Sequence, residues 1–162
     1  CGEHHHKTGE CLICRMLKEE RDFKERVIFE NEDFTTVLPF FTEYPYGVYI
    51  ISRNHKQNLT QFNEREKDNL ARTIRQTVGM LDALYDKPFP YMMCMHQDPV
   101  NSGDFTNASH FHIEFFPPMR SAVKQKFNAS SETGAWAHCN PTAPEEKALE
   151  LKAAYQKFIS NG

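Results

Sequence analysis

Apolar positions recur along the 162-residue chain in two rhythms, one of nearly continuous short runs and one of three- and four-residue steps. The short runs predict strands. Val27-Ile28-Phe29 and Phe34-Thr35-Thr36-Val37-Leu38 flank Asn31-Glu32-Asp33. β-Branched and aromatic residues suit a pleated surface and the polar trio has turn chemistry, so the pair reads as a hairpin. Residues 46–51 form another strand, which leaves His55 at its exit through Ser52-Arg53-Asn54. The second rhythm spans residues 63–85, where Leu70, Ile74, Val78, Leu81 and Tyr85 share one face with charges on the other, predicting the long helix. Pro88 and Pro90 stop it, and residues 91–95 read as a buried strand leading to His96. After a polar loop, residues 109–116 form a further strand that Pro117-Pro118 ends. A Thr142-x-x-Glu145 capping box with Pro144 opens a final helix reaching Phe158. Residues 1–26 read as a loop with one or two helical turns, and residues 119–141 show no clear period. The order predicts an α+β fold with a mostly antiparallel sheet, helices packed on one side and a site on the exposed face.

Composition narrows this picture. With 40% hydrophobic residues the chain can bury one core, so a single domain over residues 1–162 is expected. A net charge of -3 without a Lys/Arg block argues against nucleic-acid or membrane-surface partners, and a phosphate-bearing substrate must be held by local groups. No apolar run approaches the roughly 18–20 residues of a membrane span, and the polar start lacks a signal-peptide core; a cytoplasmic location is the expectation. Five cysteines at irregular spacing point to metal ligands or inert thiols. His4-His5-His6 is too short to interpret and stays outside the site argument.

Alternation along the 109–116 strand places His110, His112 and Glu114 on one face and Phe111, Ile113 and Phe115 on the other. One reading gives His112 the role of nucleophile toward a nucleotide α-phosphorus, with Glu114 taking a proton or bonding the transferring group. The preceding Asn101-Ser102-Gly103 offers backbone amides for a phosphate. Cys11-x-x-Cys14 has the spacing of half a tetrahedral zinc site, with His55 and His110 as the best remaining ligands. Alternatively, His96, His112 and Glu114 form a second metal site, a two-histidine, one-carboxylate set suited to iron or zinc. His112 cannot be both ligand and free nucleophile. A solvated polar face and a redox Cys pair are the simpler readings of the same motifs.

The Val27-to-Phe40 stretch, the exit Ser52-Arg53-Asn54-His55, the Asn-x-Gly loop and His110-Phe111-His112-Ile113-Glu114 together resemble the histidine-triad superfamily over most of the chain. Glu114 stands where that family has its third histidine, which favours the uridylyltransferase branch. Residues 91–99, Phe111 to Pro118, Arg120-Ser121-Ala122 and the run from Asn140 to Glu146 are similar to the C-terminal half of the galactose-1-phosphate uridylyltransferase family. The resemblance implies conversion of UDP-glucose and galactose 1-phosphate to UDP-galactose and glucose 1-phosphate through a uridylyl-histidine, the alternatives being a nucleotide phosphoramidase or hydrolase of the histidine-triad type and a non-catalytic metal-binding half-domain. It also implies nucleotide-sugar and sugar-phosphate substrates, metal-ligand roles for His96, His112 and Glu114 with a further ligand from a first half, and a homodimer. The chain is then expected to be one half of a two-half enzyme that associates with an N-terminal half.

Overall fold

The computed structural model describes residues 1–101 and 103–161. Two helices, α1 (Gly2–Thr8) and α2 (Leu12–Phe23), precede the hairpin of β1 (Val27–Glu30) and β2 (Phe34–Val37) and the strand β3 (Tyr49–Ser52). A single 3-10 turn leads to α3 (Glu64–Ala83), then β4 (Met92–His96), β5 (His112–Phe116), α4 (Ser130–Ala135) and α5 (Pro144–Asn161). The strands form one antiparallel sheet in the order β1-β2-β3-β5-β4. The α+β class with an antiparallel sheet expected from the sequence is the one observed, with helices on both faces and not on one.

The hairpin turn is held by Asn31, whose Oδ1 accepts the backbone N–H groups of Asp33 and Phe34. Helix α3 starts at a reciprocal capping box between Asn63 and Glu66. It packs with α5 across one sheet face, and the two helices meet where the Phe158 ring lies against Gly79, leaving no room for a β-carbon. Beneath them Phe34, Ile50, Phe111, Ile113 and Phe115 are fully buried with Met80, Leu81 and Leu151. Side chains from the alternate strand positions Val37 and Ile51 point to the opposite face, where Cys11, Ile13, Met16 and Leu17 of the α2 segment cover them. Helix α2 is thus three turns long and lies opposite the long helices, where the sequence suggested only a turn or two.

Two local expectations change. Residues 92–96 form a strand as expected, but every one of them is exposed. As the sheet's outer strand, β4 lies beyond β5, while α3 and α5 contact β2 and β1 at the far side. A run of Met and Cys therefore reflects an uncovered edge and not burial. The Thr142 hydroxyl turns to Asn140 Oδ1, and the Glu145 carboxylate meets Arg26, so the capping box is replaced by a turn and an ion pair. Pro144 is the first residue of α5, as its lack of an N–H allows. Residues 119–141 hold the short helix α4, fixed by a buried Lys126–Glu132 pair at 2.8 Å.

Candidate functional site

Two clusters of ligand-type side chains lie around the start of β5. In the first, Cys11 and Cys14 come from the start of α2, His55 from beyond β3 and His110 from just before β5. Cys14 Sγ is 3.2 Å from Nδ1 of both His55 and His110, and Cys11 Sγ is 3.8 Å from His110 Nδ1. Ligands bound tetrahedrally at the usual zinc–sulfur and zinc–nitrogen lengths lie about 3.5 Å apart, the middle of this range. The far nitrogens are committed elsewhere. His55 Nε2 donates to the Thr106 carbonyl at 2.8 Å, and His110 Nε2 donates to the Ser52 carbonyl at 2.7 Å with the Ser52 hydroxyl at 2.9 Å. A carbonyl can only accept, so both protons sit on Nε2 and both Nδ1 lone pairs face the sulfurs.

The thiols are matched to that arrangement. The hydrogen bond from Cys14 lowers the Cys11 thiol, outweighing its burial. Cys14 is pushed up because it donates to Cys11, with burial adding. A cavity of about 760 Å³, lined by Cys11, Cys14, His55, Arg15 and Lys18 among others, opens onto the cluster and gives an entry path.

The second cluster lies on the sheet face opposite α3 and α5. His96 and His112 are cross-strand partners whose rings stack with centroids 4.6 Å apart. His112 Nδ1 donates to the His110 carbonyl at 2.7 Å, which leaves its Nε2 as a lone pair 3.3 Å from Glu114 Oε1. His96 Nε2 is 3.5 Å from the same oxygen. Burial alone would raise the Glu114 carboxyl, but the neighbouring His112 and His96 imidazoles and the Tyr49 hydroxyl together hold it below its usual range. Two nitrogens at 3.3 and 3.5 Å from one carboxylate oxygen match the spacing of N and O ligands around one small cation.

The structure therefore brings together Cys11, Cys14, His55 and His110, and separately His96, His112 and Glu114. It does not bring the predicted phosphate loop to them: Asn101, at a positive φ, and Gly103 are exposed, and among the described residues neither bonds to His112 or Glu114. Ser102 lies outside the described residues. Sequence reasoning missed Ser52 and Thr106, which orient the histidines through backbone carbonyls that leave no trace in residue type. It also missed Tyr49, placed opposite Glu114 by the β3–β5 register and stacked at 6.0 Å on His112.

Residues 2–152 match the family described as Galactose-1-phosphate uridyl transferase, C-terminal domain. The chain is 41% identical to galactose-1-phosphate uridylyltransferase of Thermotoga maritima over 88% of its length and 44% of the relative's. It is 38% identical to the enzyme of that name from Saccharomyces cerevisiae over 72% of its length and 32% of the relative's. It thus spans less than half the length of these curated relatives. A solved uridylyltransferase superposes with a TM-score of 0.86 at 33% identity, over 96% of this chain and 48% of the other. A zinc-bound histidine triad family protein from Mycobacterium smegmatis shares the fold at a TM-score of 0.59 and 18% identity, over 94% of this chain and 97% of its own.

Proposed function

The chain belongs to the galactose-1-phosphate uridylyltransferase family, matching its C-terminal domain, and from that premise we propose that it serves uridylyl transfer between a nucleotide sugar and galactose 1-phosphate as the metal-holding half of the enzyme. Cys11, Cys14, His55 and His110 are the proposed ligands of a structural zinc. His96, His112 and Glu114 are proposed to hold a second ion, iron or zinc. The observation that carries the choice for His112 is the convergence of its Nε2 lone pair, the His96 Nε2 and the Glu114 carboxylate. Nitrogen lone pairs and a carboxylate repel at such distances unless a cation or proton lies among them, and a nucleophile held this way has no free lone pair to attack phosphorus.

The ions when bound would supply rigidity and fixed positive charge. The chain's own groups set the geometry: the carbonyls of Ser52, Thr106 and His110 fix three imidazoles, and Tyr49 backs Glu114 and His112. The amides around Asn101, Ser102 and Gly103 are proposed to meet a substrate phosphate. The exposed edge β4 is the proposed place for association with a first half of the kind the relatives carry, which would bring the nucleophilic histidine. Among the described residues no helix is long and apolar enough to cross a membrane.

Incubation of the metal-loaded chain with radiolabelled UDP-glucose tests the division of labour. The expected result is retained metal and no covalent label on His112. A uridylylated His112 would return that residue to the nucleophile's role and remove it from the metal site.

A further inference from the structure

The four residues of the first cluster are held unequally. Cys11 and His110 are buried, Cys14 is half-buried and His55 is exposed. The far nitrogen of His110 meets both the Ser52 carbonyl and the Ser52 hydroxyl. Away from the sulfurs, the His55 ring has a single polar anchor, the bond from Nε2 to the Thr106 carbonyl at 2.8 Å. Thr106 is itself exposed, on the loop of residues 104–109, so the anchor is only as firm as whatever holds that loop.

Gln57, two residues beyond His55, is a buried polar side chain whose Nε2 donates to the same Thr106 carbonyl at 2.7 Å. A carbonyl oxygen has two lone pairs, and His55 and Gln57 take one each. Among the described residues, Gln57 is the one side chain outside the cluster that ties residues 104–109 to the rest of the chain by a hydrogen bond. The direction of its amide follows from groups that cannot reverse. The Gln57 backbone N–H can only donate, and does so to Gln61 Oε1 at 2.7 Å. That turns the Gln61 Nε2 toward Gln57 Oε1, and Gln57 is left with Nε2 for Thr106. The Gln57 carbonyl accepts the Asp98 N–H at 3.0 Å, which pins the residue to the loop after β4.

We propose that Gln57 is a positioning residue for metal capture at the first cluster: by holding the Thr106 carbonyl in place it keeps His55 protonated on Nε2, with Nδ1 turned to the sulfurs. This rests on the reading of Cys11, Cys14, His55 and His110 as zinc ligands. An exposed imidazole ordered in advance spares the ion the cost of ordering it. Partners that orient metal-bound histidines typically contribute about 10–100-fold in affinity, and Gln57 acts at one remove from such a partner, through the peptide oxygen it shares with the ring.

Cobalt titration of the intact, metal-free chain tests this. Binding is followed by the thiolate-to-cobalt charge-transfer absorption, which reports the first cluster because His96, His112 and Glu114 carry no sulfur, and displacement by zinc gives the zinc affinity. Gln57→Leu keeps the bulk of the side chain and removes its donor, and is expected to weaken binding by about tenfold or more. The same substitution is then made beside His55→Cys, where a sulfur replaces the imidazole and leaves no second nitrogen to orient; three cysteines and a histidine are themselves a common zinc set. There Gln57→Leu is expected to change affinity by less than about twofold, since a residue acting through His55 has nothing left to act on. A merely structural role would cost the same factor in both backgrounds. An equal loss in both, or no loss in either, overturns the proposal and leaves the zinc reading standing. Absence of the charge-transfer band in the unsubstituted chain would instead remove the zinc reading and this proposal with it.

Discussion

The two ligand clusters flank one residue, His110, yet they are built on different principles. The Cys11–Cys14–His55–His110 cluster gathers segments 41 to 99 residues apart and lies against a buried apolar layer. The His96–His112–Glu114 cluster uses two neighbouring strands whose register already puts its members side by side, at an edge open to solvent. A cross-link between distant segments removes more freedom from the unfolded chain than one between groups the sheet has already aligned. An ion in the first place should therefore govern folding, and an ion in the second should be nearly indifferent to it.

Removing the proposed zinc tests the first half of this contrast with the largest effect. Cys14→Ser, or chelation, is expected to cost stability on the order of 10 kcal/mol, the scale of a structural zinc site. Denaturant unfolding with and without chelator measures it, and unchanged stability in metal-free protein would erase the distinction between the clusters. A middling effect is expected from Ile51→Ala, which opens the apolar layer between α2 and the sheet: about 2–5 kcal/mol from the shift in denaturant midpoint. If its cost persists undiminished in metal-free protein, packing and not metal holds α2 in place. His112→Ala should lose one metal equivalent by elemental analysis and shift stability by about 1 kcal/mol or less. A large loss of stability there would make the edge site structural as well.

Much of this was legible in residue order. The period-two alternation from His110 to Phe115 placed three apolar side chains in the core and kept His112 and Glu114 off it, because pleating leaves a strand no alternative. Cys11, Cys14, His55 and His110 were identifiable as a set because sulfur and imidazole are rare and chemically matched. The carbonyls of Ser52 and Thr106 were not legible, since every residue carries one and only tertiary structure selects which accepts. The edge position of β4 was hidden for a related reason. Met92 to Met95 carry the composition of a buried strand, and strand order is decided by pairings with β5 that lie elsewhere in the sequence. Helix α2 was underestimated because its partners, Val37 and Ile51, belong to strands whose other face already explained their apolar character.

His110 turns its ring toward one cluster and its carbonyl toward the imidazole of the other. Any cation that steadies that ring also steadies the peptide unit on which His112 is hung. If both proposed ions bind, their occupancies are joined through one residue and obey thermodynamic reciprocity: whatever factor the first adds to the affinity for the second, the second returns to the first. The backbone between His110 and His112 is in this sense a two-ended lever between the two proposed sites.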